Sequence, residues 1–183
     1  MGFDKIKLNK SISEIRKMTT RPFLEIRSEL INSFIECGIY LSLNPKLTNS
    51  CVNGASRWIG NNILIQISDT HKKEDIFWFT LFHEIGHTLK HLPGAKKSEF
   101  VDLENGEIDV KEIEADEFAI ETLIPKNLYQ EFVKRNKFDS QSLKDFAREI
   151  QLDVGILAGR MCKDKAIAFN YTAGDKFRRK LKF

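Results

Sequence analysis

No run of the chain approaches the ~18 to 20 consecutive apolar residues that a membrane span requires, so no helical span is expected. The opening residues MGFDKIKLNK lack the apolar stretch of a signal peptide. Cysteine is scarce. Cys37, Cys51 and Cys162 are scattered, odd in number and nowhere spaced as CxxC, which excludes a disulfide framework and a cysteine metal site and fits a reducing compartment. The expected location is therefore cytoplasmic. Repeats and low-complexity segments are absent too. A length of 183 residues suffices for one domain with a proper core and is short for two.

What is present is an ordinary globular composition, with 42% apolar and 30% charged residues. The net charge of +3 is unevenly spread: eight basic and two acidic residues lie between Arg160 and Phe183, so residues 1–159 are net acidic. The basic tail KFRRKLKF could touch nucleic acid or an acidic partner. A solvated end is the favoured reading, and deleting Lys176 to Phe183 is expected to leave metal binding in place.

TTRPFLEIRSELINSFIECG reads as a helix capped by threonine and closed by Gly38, with Leu24, Leu30, Ile31, Phe34 and Ile35 as its apolar stripe. IYLSL, SRWI and ILIQIS read as strands, the last two joined across Gly60-Asn61-Asn62. A long apolar helix starts near Asp75 and stops before Pro93, GAKKSEFVDLENGEID is a loop, and VKEIEADEFAIETLI is a second helix ending at Pro125. NLYQEFVKR, SLKDFAREI and VGILAGRMC follow as shorter helices, then AIAFNY as a possible strand. The expected fold class is α+β, a small antiparallel sheet packed against helices. It is expected as one domain over 1–183: an N-terminal helical segment (1–36), a sheet with two site-bearing helices (37–127), and a C-terminal helical lobe with the basic tail (128–183).

The stretch FWFTLFHEIGHTLKH carries His-Glu-x-x-His. Residues four apart on a helix sit one turn above each other, so His83 and His87 can converge on one metal ion. Glu84 lies at the edge of that face, placed to act as general base on water whose pKa the metal lowers to around 7. Packing alone explains the flanking apolar residues but not Glu84, because burying an unpartnered carboxylate is costly. Gly86 costs about 1 kcal/mol against alanine in a helix interior, which close approach of another backbone would explain. A catalytic zinc needs a third protein ligand and an open position. The second helix offers Glu112 and Glu114. Glu114, Glu117 and Glu121 share a stripe that reads as the solvent face, whereas Glu112, Ala115, Asp116, Ala119 and Leu123 lie opposite. Glu112 is thus the expected third ligand, with Asp116 accepting a hydrogen bond from a ligand histidine.

HEIGHTLKH followed by EIEADEFAIETLIP resembles the ImmA/IrrE family of zinc-dependent endopeptidases. RWIGNNILIQIS…FWFTLFHEIGH is similar to members fused to, or encoded beside, helix-turn-helix repressors and antitoxins. The resemblance runs from about Gly38 to the end. It implies one Zn²⁺ held by His83, His87 and Glu112, with Glu84 as catalytic base. It also implies a protein substrate, a DNA-binding repressor or antitoxin cut to switch on stress, mobile-element or phage genes.

His91 reads as a surface residue or an outer partner of the site, and His71 as a loop residue. Tyr171, Arg160 and Arg57 are candidate oxyanion donors, with nothing to choose among them. SLKDFAREIQLDVGILAGRM has the rhythm of a helix-turn-helix, but its second helix is too apolar to read bases, so direct nucleic-acid binding is not expected. The alternative function is a regulatory or antitoxin module that keeps the fold and acts by binding a partner. Intact Glu84 favours the peptidase.

Overall fold

A computed structural model describes residues 2–45, 53–69, 71–94, 110–167 and 176–182. Three strands, β1 (Ile39–Asn44), β2 (Gly54–Ile59) and β3 (Asn62–Ser68), form a sheet in the order β1-β3-β2. Alternation along β3 buries Ile63, Ile65 and Ile67 on one face. Seven helices accompany the strands among the described residues: α1 (Lys5–Lys17), α2 (Phe23–Glu36), α3 (Glu74–Lys90), α4 (Val110–Leu123), α5 (Lys126–Lys134), α6 (Ser140–Glu149) and α7 (Val154–Lys163). The fold is α+β, as the sequence leads one to expect.

The sheet, however, is mixed rather than antiparallel. β2 and β3 form the hairpin across Gly60, whose φ is +59°, but β1 lies along the far edge of β3, parallel to it. The strand with the most regularly buried face takes the centre, where both its edges are paired. The β1-to-β3 connection runs through β2, which gives it the dozen or so residues a parallel pairing needs.

In α2 the apolar stripe is turned from the expected one. Phe23, Ile26, Leu30 and Phe34 are fully buried, at offsets of three, four and four, while Leu24 and Ile35 are exposed. The helix starts at Phe23 after Pro22 with no threonine cap; the Phe23 N–H instead donates to Glu74 Oε1 at 3.0 Å. Gly38 closes the helix with φ +73°. α6 and α7 make the helix–turn–helix step, and α7 buries Ile156, Leu157, Ala158, Met161 and Cys162. The GAKKSEFVDLENGEID loop and the AIAFNY strand fall largely outside the described residues.

Two arginine-centred junctions fix the helices. Arg16 of α1 donates to Thr122 O (2.8 Å), Leu123 O (2.9 Å), Ile150 O (2.9 Å) and Gln151 O (3.3 Å), which satisfies carbonyls at the C-terminal ends of both α4 and α6. The second corrects the reading of KFRRKLKF as a solvated end. Arg178 pairs with Asp75 at 2.8 Å, and Arg179 pairs with Glu74 at 2.8 Å and Asp153 at 3.2 Å. Arg179 also donates to Thr19 O and Arg21 O. Backbone bonds from Glu74 N to Arg179 O and from Leu181 N to Lys72 O lay residues 179–181 across the start of α3 as a strap. The cause is the burial of Glu74 and Asp75 at the first turn of α3: buried carboxylates require cations. Three carboxylates meet two guanidinium groups there, and Asp153 is pushed up to about 6, by burial first, against the lowering pull of Arg179.

Candidate metal centre

α3 and α4 come close together where Gly86 faces Ala115. A Cβ on Gly86 would stand 3.1 Å from Ala115 Cα and 3.3 Å from its carbonyl oxygen, so the missing side chain permits the approach that the sequence suggests. With the helices this close, Glu112, one turn before Ala115 on α4, reaches over the two histidines. Glu112 Oε2 lies 3.2 Å from His83 Nε2 and Oε1 lies 3.0 Å from His87 Nε2; the two Nε2 atoms are 3.0 Å apart. Ligand atoms on a tetrahedral zinc with bonds of ~2.0–2.1 Å stand roughly 3.3 Å apart. Among the described residues, this is the group of histidine and acidic side chains placed to hold a metal.

The hydrogen bonds behind the rings support that fit. His83 Nδ1 lies 2.8 Å from Asp116 Oδ1. A carboxylate only accepts, so Nδ1 carries the proton and Nε2 presents its lone pair inward. His87 Nδ1 lies 2.9 Å from His91 Nδ1, and His91 Nε2 lies 2.9 Å from Glu114 Oε2. By the same logic His91 donates to Glu114 and accepts from His87, which leaves His87 Nε2 unprotonated. Two lone pairs and a carboxylate then face one point, an arrangement a cation stabilises and a vacant space does not. Orienting a ligand imidazole through its second nitrogen is the general pattern of such sites.

Glu84, next to His83, is 4% exposed. Burial pushes its carboxyl up to about 7, against the lowering effects of the Ser56 hydroxyl and His83, and with a small raising effect from Glu112. Ser56 and Gly54 sit on the inner face of β2, opposite Ile65 and Ile67. A Cβ on Gly54 would come within 2.7 Å of Glu84 Oε1 and 2.6 Å of Thr80 Cγ2, so glycine makes the room in which Glu84 lies.

Of the residues singled out in the sequence, His83, His87, Glu112, Asp116 and Glu84 come together. Glu114, expected on the solvent face, is half-exposed but bonded to His91, which holds its carboxyl below the usual range. Arg57 is exposed on the outer face of β2, away from Glu84. Arg160 is engaged by Asp164 at 2.6 Å and lies over the Tyr129 ring. His71 is an exposed turn residue, and Tyr171 lies outside the described residues. Sequence reasoning missed Ser56 and Gly54. A glycine opening a strand signals close approach of another group, but nothing local names that group.

These contacts rank the outcome of substitutions. Glu112→Gln is expected to weaken zinc binding most. Asp116→Asn and His91→Phe should each cost roughly 10- to 100-fold, the first because a neutral amide replaces the carboxylate that polarises the ligand His83 itself, the second because His87 loses its outer acceptor. Glu114→Gln keeps an acceptor for His91 and should change affinity little. Competition with a chromogenic chelator gives the order, and metal loss in Glu114→Gln with retention in Glu112→Gln would overturn it.

No curated protein matches the chain, and no described helix is long and apolar enough to cross a membrane. Residues 48–161, which carry β2, β3, both site helices and most of α7, match the Peptidase_M78 family, described as the IrrE N-terminal-like domain. With the match covering more than half of the chain, the protein belongs to this metallopeptidase family.

Proposed function

We propose that this protein is a cytoplasmic, single-domain, zinc-dependent endopeptidase that cleaves a helix-turn-helix repressor or an antitoxin-type regulator. The observation that carries the reading is the convergence of two imidazole lone pairs and a carboxylate beside a buried glutamate with a raised pKa. Two histidines and a glutamate are a donor set suited to a catalytic zinc with an open position. Zinc bound there supplies a Lewis acid that polarises the peptide carbonyl and acidifies water. His83 and His87 present Nε2, held in orientation by Asp116 and His91. The Glu84 carboxylate takes a proton from the attacking water and returns it to the leaving amine, a role that a pKa near the working pH serves well. A module that merely binds a partner gains nothing from burying Glu84 at this cost.

The native protein should carry one zinc per chain, and chelation should lower its melting temperature; at a thousandfold excess over Kd the metal would contribute about 4 kcal/mol. Metal-free native protein whose melting is indifferent to chelators would overturn the site. The substrate is tested by incubating zinc-loaded protein with the small helix-turn-helix protein encoded beside it, where there is one. Tight binding without cleavage would favour the partner-binding alternative.

A further inference from the structure

A cavity of about 290 Å³ opens between α3, α4 and α7. Ile76 and Phe79 of α3, Ile120 and Leu123 of α4 and Ile156 of α7 give it apolar walls. Phe79 stands one turn before His83, with ring centroids 6.4 Å apart, and Ile120 stands one turn after Asp116. The cavity therefore continues the seam between α3 and α4 that carries His83, His87 and Glu112, displaced by about one turn toward the start of α3. An extended peptide advances about 3.3 Å per residue, so a chain lying over the metal centre brings a side chain next to the scissile bond within reach of it. Its size falls at the small end of ligand pockets, roughly 300 Å³, which suits one side chain better than an organic cofactor.

The charges at the rim are not equivalent. Arg178 is engaged by Asp75, and Arg160 by Asp164. Lys163 holds its Nζ 4.6 Å from the centre of the Phe79 ring and has no carboxylate partner among the described residues. A cation standing over the ring that forms the metal-side wall leaves one positive charge available at the entrance.

We infer that this cavity is the specificity pocket for the substrate: it receives a large apolar side chain (leucine, methionine or phenylalanine) beside the scissile bond, and Lys163 selects an acidic residue adjacent to it. The inference rests on the peptidase reading above.

The test measures binding rather than turnover. Zinc-loaded protein of known metal content is titrated calorimetrically with peptide hydroxamates that differ in one side chain: hydrogen, methyl, isobutyl or benzyl. The hydrogen compound reports on the metal centre alone. The isobutyl and benzyl compounds are expected to bind roughly 10- to 100-fold tighter than the methyl compound. Ile76→Trp and Ile120→Trp, at partly exposed wall positions, fill the cavity, and in each the isobutyl-to-hydrogen affinity ratio should fall toward one. Adding a neighbouring carboxylate to the isobutyl compound should tighten binding in the wild type and weaken it in Lys163→Glu. A flat side-chain series, or a ratio that survives both tryptophan variants, overturns the pocket. A carboxylate effect unchanged in Lys163→Glu overturns the role of Lys163. If even the hydrogen compound fails to bind zinc-loaded protein, the open metal centre is refuted and the pocket assignment falls with it.

Discussion

Glu84→Gln is expected to abolish cleavage while making the metal-free protein more stable at neutral and alkaline pH. The activity loss follows from removing the proton acceptor, and general acid–base groups contribute about 10²- to 10⁴-fold. The stability gain follows from burial. In the metal-free protein the Glu84 carboxyl titrates at about 7, against 4.5 for the unperturbed group. A raised folded-state pKa means that the native state holds its proton longer than the unfolded state does. Stability tied to this group is thus fully present below pH 4.5 and is lost as pH rises through 7. Above that pH the shift corresponds to a cost on the order of 3 kcal/mol, which a neutral glutamine avoids while keeping a partner for Ser56. Chelated wild type and variant should show equal urea midpoints near pH 4 and diverge toward pH 8. A divergence of the opposite sign, or cleavage retained in the variant, would remove Glu84 from the mechanism.

The second large effect is on the strap. Arg178 is 13% exposed and its partner Asp75 6%; Arg179 and Glu74 are 27% and 6% exposed. Removing one member of a buried pair leaves the other charged and unpaired, at about 3–5 kcal/mol. Arg178→Met should therefore destabilise the protein by several kcal/mol, and deletion of residues 176–182 by more, although the two pairs share a site and will not add. The deletion should also weaken zinc binding, contrary to what charge counting suggests, because the strap secures the first turn of the helix that bears His83 and His87. The discriminating comparison is Arg178→Met with Asp75→Asn. If the charges are the cause, the double variant is more stable than Arg178→Met alone; if it is less stable, lost packing is the better account.

What was legible in the sequence was what depends on local periodicity. The four-residue step brings His83 over His87, and the phase of α4 puts Glu112 and Asp116 on the side of the histidines. The absence of a side chain at Gly86 announces a neighbouring backbone, and the alternation in ILIQIS yields β3. What could not be read depends on partners remote in sequence. The order β1-β3-β2 is a choice between two free edges, and no single strand records it. The phase of α2 turned on Phe23, which a threonine-capped start obscured. KFRRKLKF looks like solvated charge until Glu74 and Asp75 are seen to be buried. Ser56 and Gly54 acquire meaning only once β2 lies against α3. His91 and Glu114 are individually ordinary surface residues, and their pairing becomes visible only when both helices are in place.

The Arg16 junction also bears on the order of events during synthesis. Its acceptors on α4 lie 106 and 107 residues further along the chain, and those at the end of α6 lie 134 and 135 residues further; Arg179 reaches back 160 residues to Thr19. Translation proceeds from the amino end, so the guanidinium that anchors α4 is made long before anything it can hold, and the strap on α3 follows every other element described. Contacts of such separation form slowly. Of the two helices of the metal centre, α4 therefore emerges with its Arg16 anchor already made, whereas α3 emerges well ahead of the strap that secures its first turn. A chain still being made thus carries the histidine pair on a helix whose buried acidic first turn has not yet met the two arginines that neutralise it.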